Sequence, residues 1–360
     1  HSMPYSQNLS AMVWQQTPVT TPRLLCEDID WTEGGLLWMK SMDAGHNHRL
    51  YDTERGLRKY ITSNTTAEEI ETTGGISYWT AKGASHTRNG DANYSPLPEE
   101  TALNSKFVAW GFRKAKRFVD VIKWDGNNTN GRTIEHNLKI EPGLIMIKCL
   151  THTYTWQVYH RSLGTTSWLH LDSDVQASTA NSPGFANVTD TSFDIGNYAG
   201  VNADSNYKYV AYVFAHDPEP GSIIKCDNYT GTATGRKITL GWEPQYVMVK
   251  DTSSTGNWWI YDAQRGGMQL QDKGVMAKSA GSNGKLLFAN TPSAPNENYD
   301  ITTDATGFWL PGPTPLNESG RNYVYMAIRK GPMRTPTDPK KVFSVSKAYG
   351  PNRPTYIADF

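Results

Sequence analysis

Apolar positions along this chain come in short runs of two textures. GLIMIKCL (143–150) is an unbroken apolar run of strand length, as expected where both faces of a strand are covered. TWQVYHRS (155–162) instead alternates apolar and polar residues with period two, and KYVAYVFA (208–215) mixes aromatic with β-branched residues. Turn chemistry lies between such runs: DGNNTNG (125–131), SLGTT (162–166), NSPG (181–184) and SSTG (253–256). No window sustains the i, i+3, i+4, i+7 pattern of an amphipathic helix. The segment AEEIETT, beginning at Ala67, reads as a single helical turn at most. The pattern predicts an all-β chain.

The runs also repeat. GGLLWMK (34–40), PGLIMIK (142–148) and PQYVMVK (244–250) are one motif, spaced by 108 and then 102 residues at the final lysine. YDTERG from Tyr51, YHRSLG from Tyr159 and YDAQRG from Tyr261 follow with the same two steps. A third motif ends each copy: NSKFVAWGFRKA from Asn104, SNYKYVAYVFAHD from Ser205 and GRNYVYMAIRKG from Gly320. Ordered motifs at near-constant spacing mark internal repeats. We expect an N-terminal segment (1–30), three units at 31–115, 116–217 and 218–332, and a remainder (333–360). Units of roughly a hundred residues with many short strands point to a tandem array of antiparallel β-sandwiches, jelly-roll or lectin-like. A propeller-like ring is the alternative, each unit then holding two blades.

The ends bear on that choice. An opening motif, DGNNTNGRTIEHNL from Asp125 and YTGTATGRKITL from Tyr229, has no good copy in the first unit, where PRLLCEDID is a poor substitute. The tail KVFSVSKAYGPNRPTYIADF has the pattern of such an opening. Either it begins a fourth unit of a longer array, the favoured reading, or it supplies the missing strands and closes a ring. Closure predicts that 343–347 pair with the sheet of the first unit.

Composition narrows the partners. Lys plus Arg and Asp plus Glu number 35 each, so there is no electrostatic footprint for nucleic acid or an anionic membrane. No apolar run nears the roughly 18 residues that span a bilayer, so membrane insertion is not expected. The odd, widely spaced Cys26, Cys149 and Cys226 form neither a disulfide framework nor a metal knuckle. No cofactor motif is present.

Candidate chemistry centres on GNWWIYDAQRGG (256–267). Trp258, Trp259, Tyr261, Asp262 and Arg265, with Trp156 and Tyr159 of the preceding unit, are the candidate ligand-binding residues, since an exposed aromatic on a sheet face stacks on sugar rings. Alternation puts Trp258 and Trp259 on opposite faces, so at least one belongs to a core. Asp52 and Glu54 in the first unit and Asp262 in the third raise the question of a glycosidase pair, but His160 stands at that place in the second unit. No catalytic residue is assigned. His46 and His48 of DAGHNH are weak metal candidates without visible further ligands, and Asp172 and Asp174 are a thin suggestion for calcium.

PGLIMIK, TWQVYHRSLG, YITSNTT and SNYKYVAYVFAHD resemble a repeat domain of structural proteins from marine phages and environmental viral sequences. The likeness covers 31–332 and the tail; it departs at the opening of the first unit and at an insertion around LQDKGVMAKSAGSNGK (270–285). It implies an exterior, extracellular virion component, a tail fibre, adhesin, tailspike or head-decoration protein. Its implied partners are other virion proteins, a host surface glycan and further copies of itself. Of these roles, a non-enzymatic, glycan-binding tail-fibre protein is the expectation, with a capsid-associated protein or a polysaccharide depolymerase as alternatives.

Overall fold

A computed structural model describes residues 8–15, 24–87, 106–265, 268–270, 286–296 and 299–331. Among these, the only helical elements are Ala199–Asn202 and the 3₁₀ turns Trp31–Glu33 and Arg161–Leu163. The single turn expected at 67–73 is absent. Ile70–Glu71 instead pairs as a short strand with Lys59–Tyr60. None of the helical elements is long or apolar enough to cross a membrane.

Three larger sheets share one strand order: opening, closing, core and corner strand. In the first these are Leu9–Gln15, Lys106–Arg113, Gly35–Ser41 and Arg49–Asp52. The second comprises Val119–Asp125, Lys208–Ala215, Pro142–Cys149 and Gln157–His160. The third comprises Ile224–Thr230, Asn322–Arg329, Pro244–Asp251 and Trp258–Asp262, with Leu287–Phe288 added beyond the corner strand. Every pairing in these sheets is antiparallel. Because the last strand of each set lies second in its sheet, the order is not the meander of a propeller blade. Among the described residues no sheet closes into a barrel.

The opening strand of the first sheet comes from Leu9–Gln15, within the segment assigned no strand from sequence. It holds the outer edge of Lys106–Arg113, whose other edge is taken by Gly35–Ser41. The tail itself (332–360) and most of the insertion at 270–285 lie outside the described residues.

Burial explains the two textures of the sequence. All eight residues of Pro142–Cys149 are buried, because both faces of that sheet are covered. The outward face of each large sheet packs on a smaller layer. In the first, Leu37, Met39 and Tyr51 meet Leu25, Ile29, Trp31 and Ile76. In the third, Val247, Val249, Trp259 and Tyr261 meet Ile238, Ile301, Phe308 and Leu310. The inward faces meet one another in a single shared core. Phe112 of the first sheet stands edge-on to Phe214 of the second at 5.5 Å and to Tyr246 of the third at 5.6 Å. The polar positions of Gln157–His160 are buried as well, so its alternation marks two interior faces rather than one wet face. Cys26, Cys149 and Cys226 are buried free thiols.

Candidate functional site

Strand register makes certain positions of the three sheets equivalent, and the conspicuous motif residues occupy them. Just before each corner strand, or opening it, stands His48, Trp156 or Trp258. Each donates a ring N–H to a backbone carbonyl associated with a neighbouring sheet. Trp156 Nε1 reaches Thr62 O at 3.0 Å, Trp258 Nε1 reaches His170 O at 2.9 Å, and His48 Nε2 reaches Phe288 O at 2.9 Å. His48 Nδ1 accepts from Trp38 Nε1 at 2.9 Å, which fixes the tautomer that donates. The acceptors are themselves equivalent, since Ile61, Leu169 and Leu287 pair alike with Leu50, Val158 and Ile260. The second sheet thus grips the first, the third grips the second, and the first grips the third.

A second ring of contacts runs through the ends of the corner strands. Asp52 accepts from the Tyr212 hydroxyl of the second sheet at 2.7 Å, and Asp262 accepts from Trp110 Nε1 of the first at 2.9 Å. Each aspartate also accepts from the following turn, through Arg55 N at 2.8 Å and Arg265 N at 3.0 Å, and pairs with the guanidinium of the same arginine. Burial alone would depress the Arg55 pKa, but the charges of Asp52 and Glu69 outweigh it and hold the guanidinium charged. In the third sheet the position of Trp110 and Tyr212 is Met326, which has no donor. Its neighbour across the interface is His160 rather than aspartate, and His160 Nε2 donates to Tyr325 O at 3.0 Å. The histidine that broke the acid pattern in the sequence therefore matches a methionine in the adjacent sheet.

Buried lysines complete the joints. Lys148 Nζ donates to Cys149 O, Tyr154 O and, across the interface, Thr66 O at 3.0 Å; Lys250 Nζ reaches Asp251 O and, across the next interface, Asp174 O at 3.2 Å. Burial pulls both ammonium groups down to about 8.

These placements correct the expectation of a sugar-stacking surface. Trp258 and Trp259 are 2% and 6% exposed, and Trp156, Tyr159, Tyr261, Asp262 and Arg265 are buried too. Trp259 lies in the outer core against Phe288 and Tyr299. No ring of the set offers a face to a ligand. His48 is buried with both nitrogens engaged, and His46 is half-buried on the loop before it. Asp172 caps Thr155 and Trp156 N. Among the described residues no three His, Cys, Asp or Glu side chains gather as metal ligands.

A space open to a ligand lies elsewhere, in a cavity of about 370 Å³ between the first and second sheets. Arg55, Lys59 and Glu69 form one wall; Lys123, Trp124, Asp125, Leu150, Lys208 and Tyr209 form the other. Glu69 ties the walls through its backbone N–H to Leu150 O at 2.8 Å, and its carboxylate takes Arg55 at 3.2 Å and Lys59 at 3.8 Å. The exposed Lys123 and Lys208 have no ion-pair partner among the described residues. The cavity's volume falls in the range of small-ligand sites. Sequence reading missed it because its walls come from residues about fifty to one hundred and fifty positions apart.

Residues 31–332 match a family described as a domain of unknown function, DUF7483. The chain belongs to that family. No curated protein matches it. The DUF7483 span holds the core, corner and closing strands of all three large sheets, whereas the opening strand Leu9–Gln15 lies outside it. Both walls of the cavity lie within the DUF7483 span.

Proposed function

We propose that this chain is a non-enzymatic exterior virion protein, of tail-fibre or adhesin type, that presents a rigid set of three repeated β-sandwich units to a host surface glycan. The observation that carries the non-enzymatic reading is the fate of the acids. Asp52 and Asp262, the residues a glycosidase reading would need, are buried, paired with arginine, and committed to contacts between sheets. A pair of glycosidase carboxylates must face one another across an open groove. The shared strand order of the three sheets supports reading them as repeats, and the resemblance to phage structural proteins supports the virion setting. Copies on one particle would multiply a modest affinity by avidity. The test has two parts. Antibody against the chain should decorate the outside of intact particles in electron micrographs. Purified protein incubated with host polysaccharide should retain it without generating new reducing ends. An interior location, or steady release of reducing ends, would overturn the proposal.

A further inference from the structure

The residues around the cavity between the first and second sheets have register equivalents between the second and third, and comparing them separates architecture from addition. Both interfaces carry an aromatic stack. Trp124 lies on Tyr209 at 5.7 Å and 21°, and Tyr229 lies on Tyr323 at 4.9 Å and 11°. Both are tied by the same backbone bond, Glu69 N to Leu150 O in one and Ala177 N to Thr252 O in the other. The scaffold therefore needs the stack and the tie.

It does not need the charges. By register, Lys123 corresponds to Asn228 and Lys208 to Asn322, while Asp125 corresponds to Thr230. In the uncharged copy Thr230 Oγ1 and Asn322 Oδ1 satisfy one another at 2.9 Å. In the charged copy Lys123 and Lys208 lie on one sheet face as diagonal neighbours, a spacing of about 7–8 Å between backbones that lets two long side chains converge on one anion. Asp125, on the same face, and Glu69, across the cavity, supply acceptors. Two free ammonium groups beside two carboxylates suit a ligand that carries both an acid and hydroxyl donors.

We propose that this cavity binds an acidic saccharide, its carboxylate held by Lys123 and Lys208 and its hydroxyls donating to Asp125 and Glu69. The inference rests on the glycan-binding reading and gives it a site and a ligand class. Titration calorimetry on the whole chain tests it, with tetragalacturonate and sialyllactose as acidic probes, maltotetraose as the neutral one and inorganic phosphate as a bare anion. An acidic probe should bind, weaken as salt is raised, and lose at least tenfold in affinity in the double variant Lys123→Ala/Lys208→Ala. Both lysines are exposed, so the variant should keep the wild-type unfolding midpoint. Unchanged affinity in the double variant would overturn the site while leaving glycan binding intact. Binding of maltotetraose alone would overturn the acidic class, and phosphate competing as an equal would reduce the cavity to an anion site. No binding of any saccharide would sink both this inference and the reading beneath it.

Discussion

Asp52 accepts four hydrogen bonds, two from the turn that follows and two from side chains, one of them in another sheet. Removing its charge leaves the buried Arg55 with only Glu69 to balance it, and breaking a buried pair costs about 3–5 kcal/mol. Asp52→Asn should therefore lower the urea midpoint sharply, whereas Tyr212→Phe, which deletes a hydroxyl that donates to Asp52 and accepts from Arg55, should cost about 1.5–3 kcal/mol. Equal, small effects would show that the pair is peripheral. Histidines give a pH signature. Burial, with the nearby Lys40 charge, lowers His48 to about 3, and burial lowers His160 to about 4. Both stay neutral in the fold while the unfolded chain takes up protons near 6.5, so their stabilisation is complete above that pH and is lost as pH falls towards 4. Each adds a slope of about 1.4 kcal/mol per pH unit across that window. Denaturation midpoints measured from pH 7.5 to 4.5 should fall, and His160→Gln should flatten the curve.

At the scale of elements, strand identity was legible because the core strands are continuous apolar runs. What alternation did not give was which face meets what. Gln157 and His160 look like wet positions yet are interior, Gln157 lying by the Ala199–Asn202 turn and His160 against the third sheet. The first opening strand was missed because LSAMVWQ has no copy of the Gly- and Thr-rich turn that flags its counterparts. A chain begun at Leu24 would leave the long edge of Lys106–Arg113 unpaired, and such an edge invites association. That truncation should aggregate on size-exclusion chromatography where the longer chain does not. Close approach also limits substitution. A Cβ on Gly143 would lie 2.5 Å from that of Cys226, where the second core strand passes the third opening strand. Gly143→Ala should lower the thermal midpoint by several degrees.

For the whole molecule, the motif spacing read as three copies but gave no sign of how they touch. Repetition fixes which residues correspond. It does not reveal that a motif's tryptophan points into the neighbouring unit, because the acceptor is a backbone carbonyl of no particular residue type. Hence GNWWIYDAQRGG looked like a binding surface, although it supplies a core aromatic, a joint and a turn. The cavity was invisible for the converse reason, its lysines being unremarkable until set beside the asparagines that replace them in the next interface.

The central claim is that equivalent contacts weld the three sheets into one body around a shared core. Differential scanning calorimetry of the wild type and of Trp258→Ala tests it most directly. The account predicts a single transition in both proteins, with matching calorimetric and van't Hoff enthalpies. In the variant that whole transition should move down, as expected when a buried tryptophan is lost at a cost of about 3–5 kcal/mol. Separate transitions for separate sheets, with the substitution shifting only one of them, would contradict it.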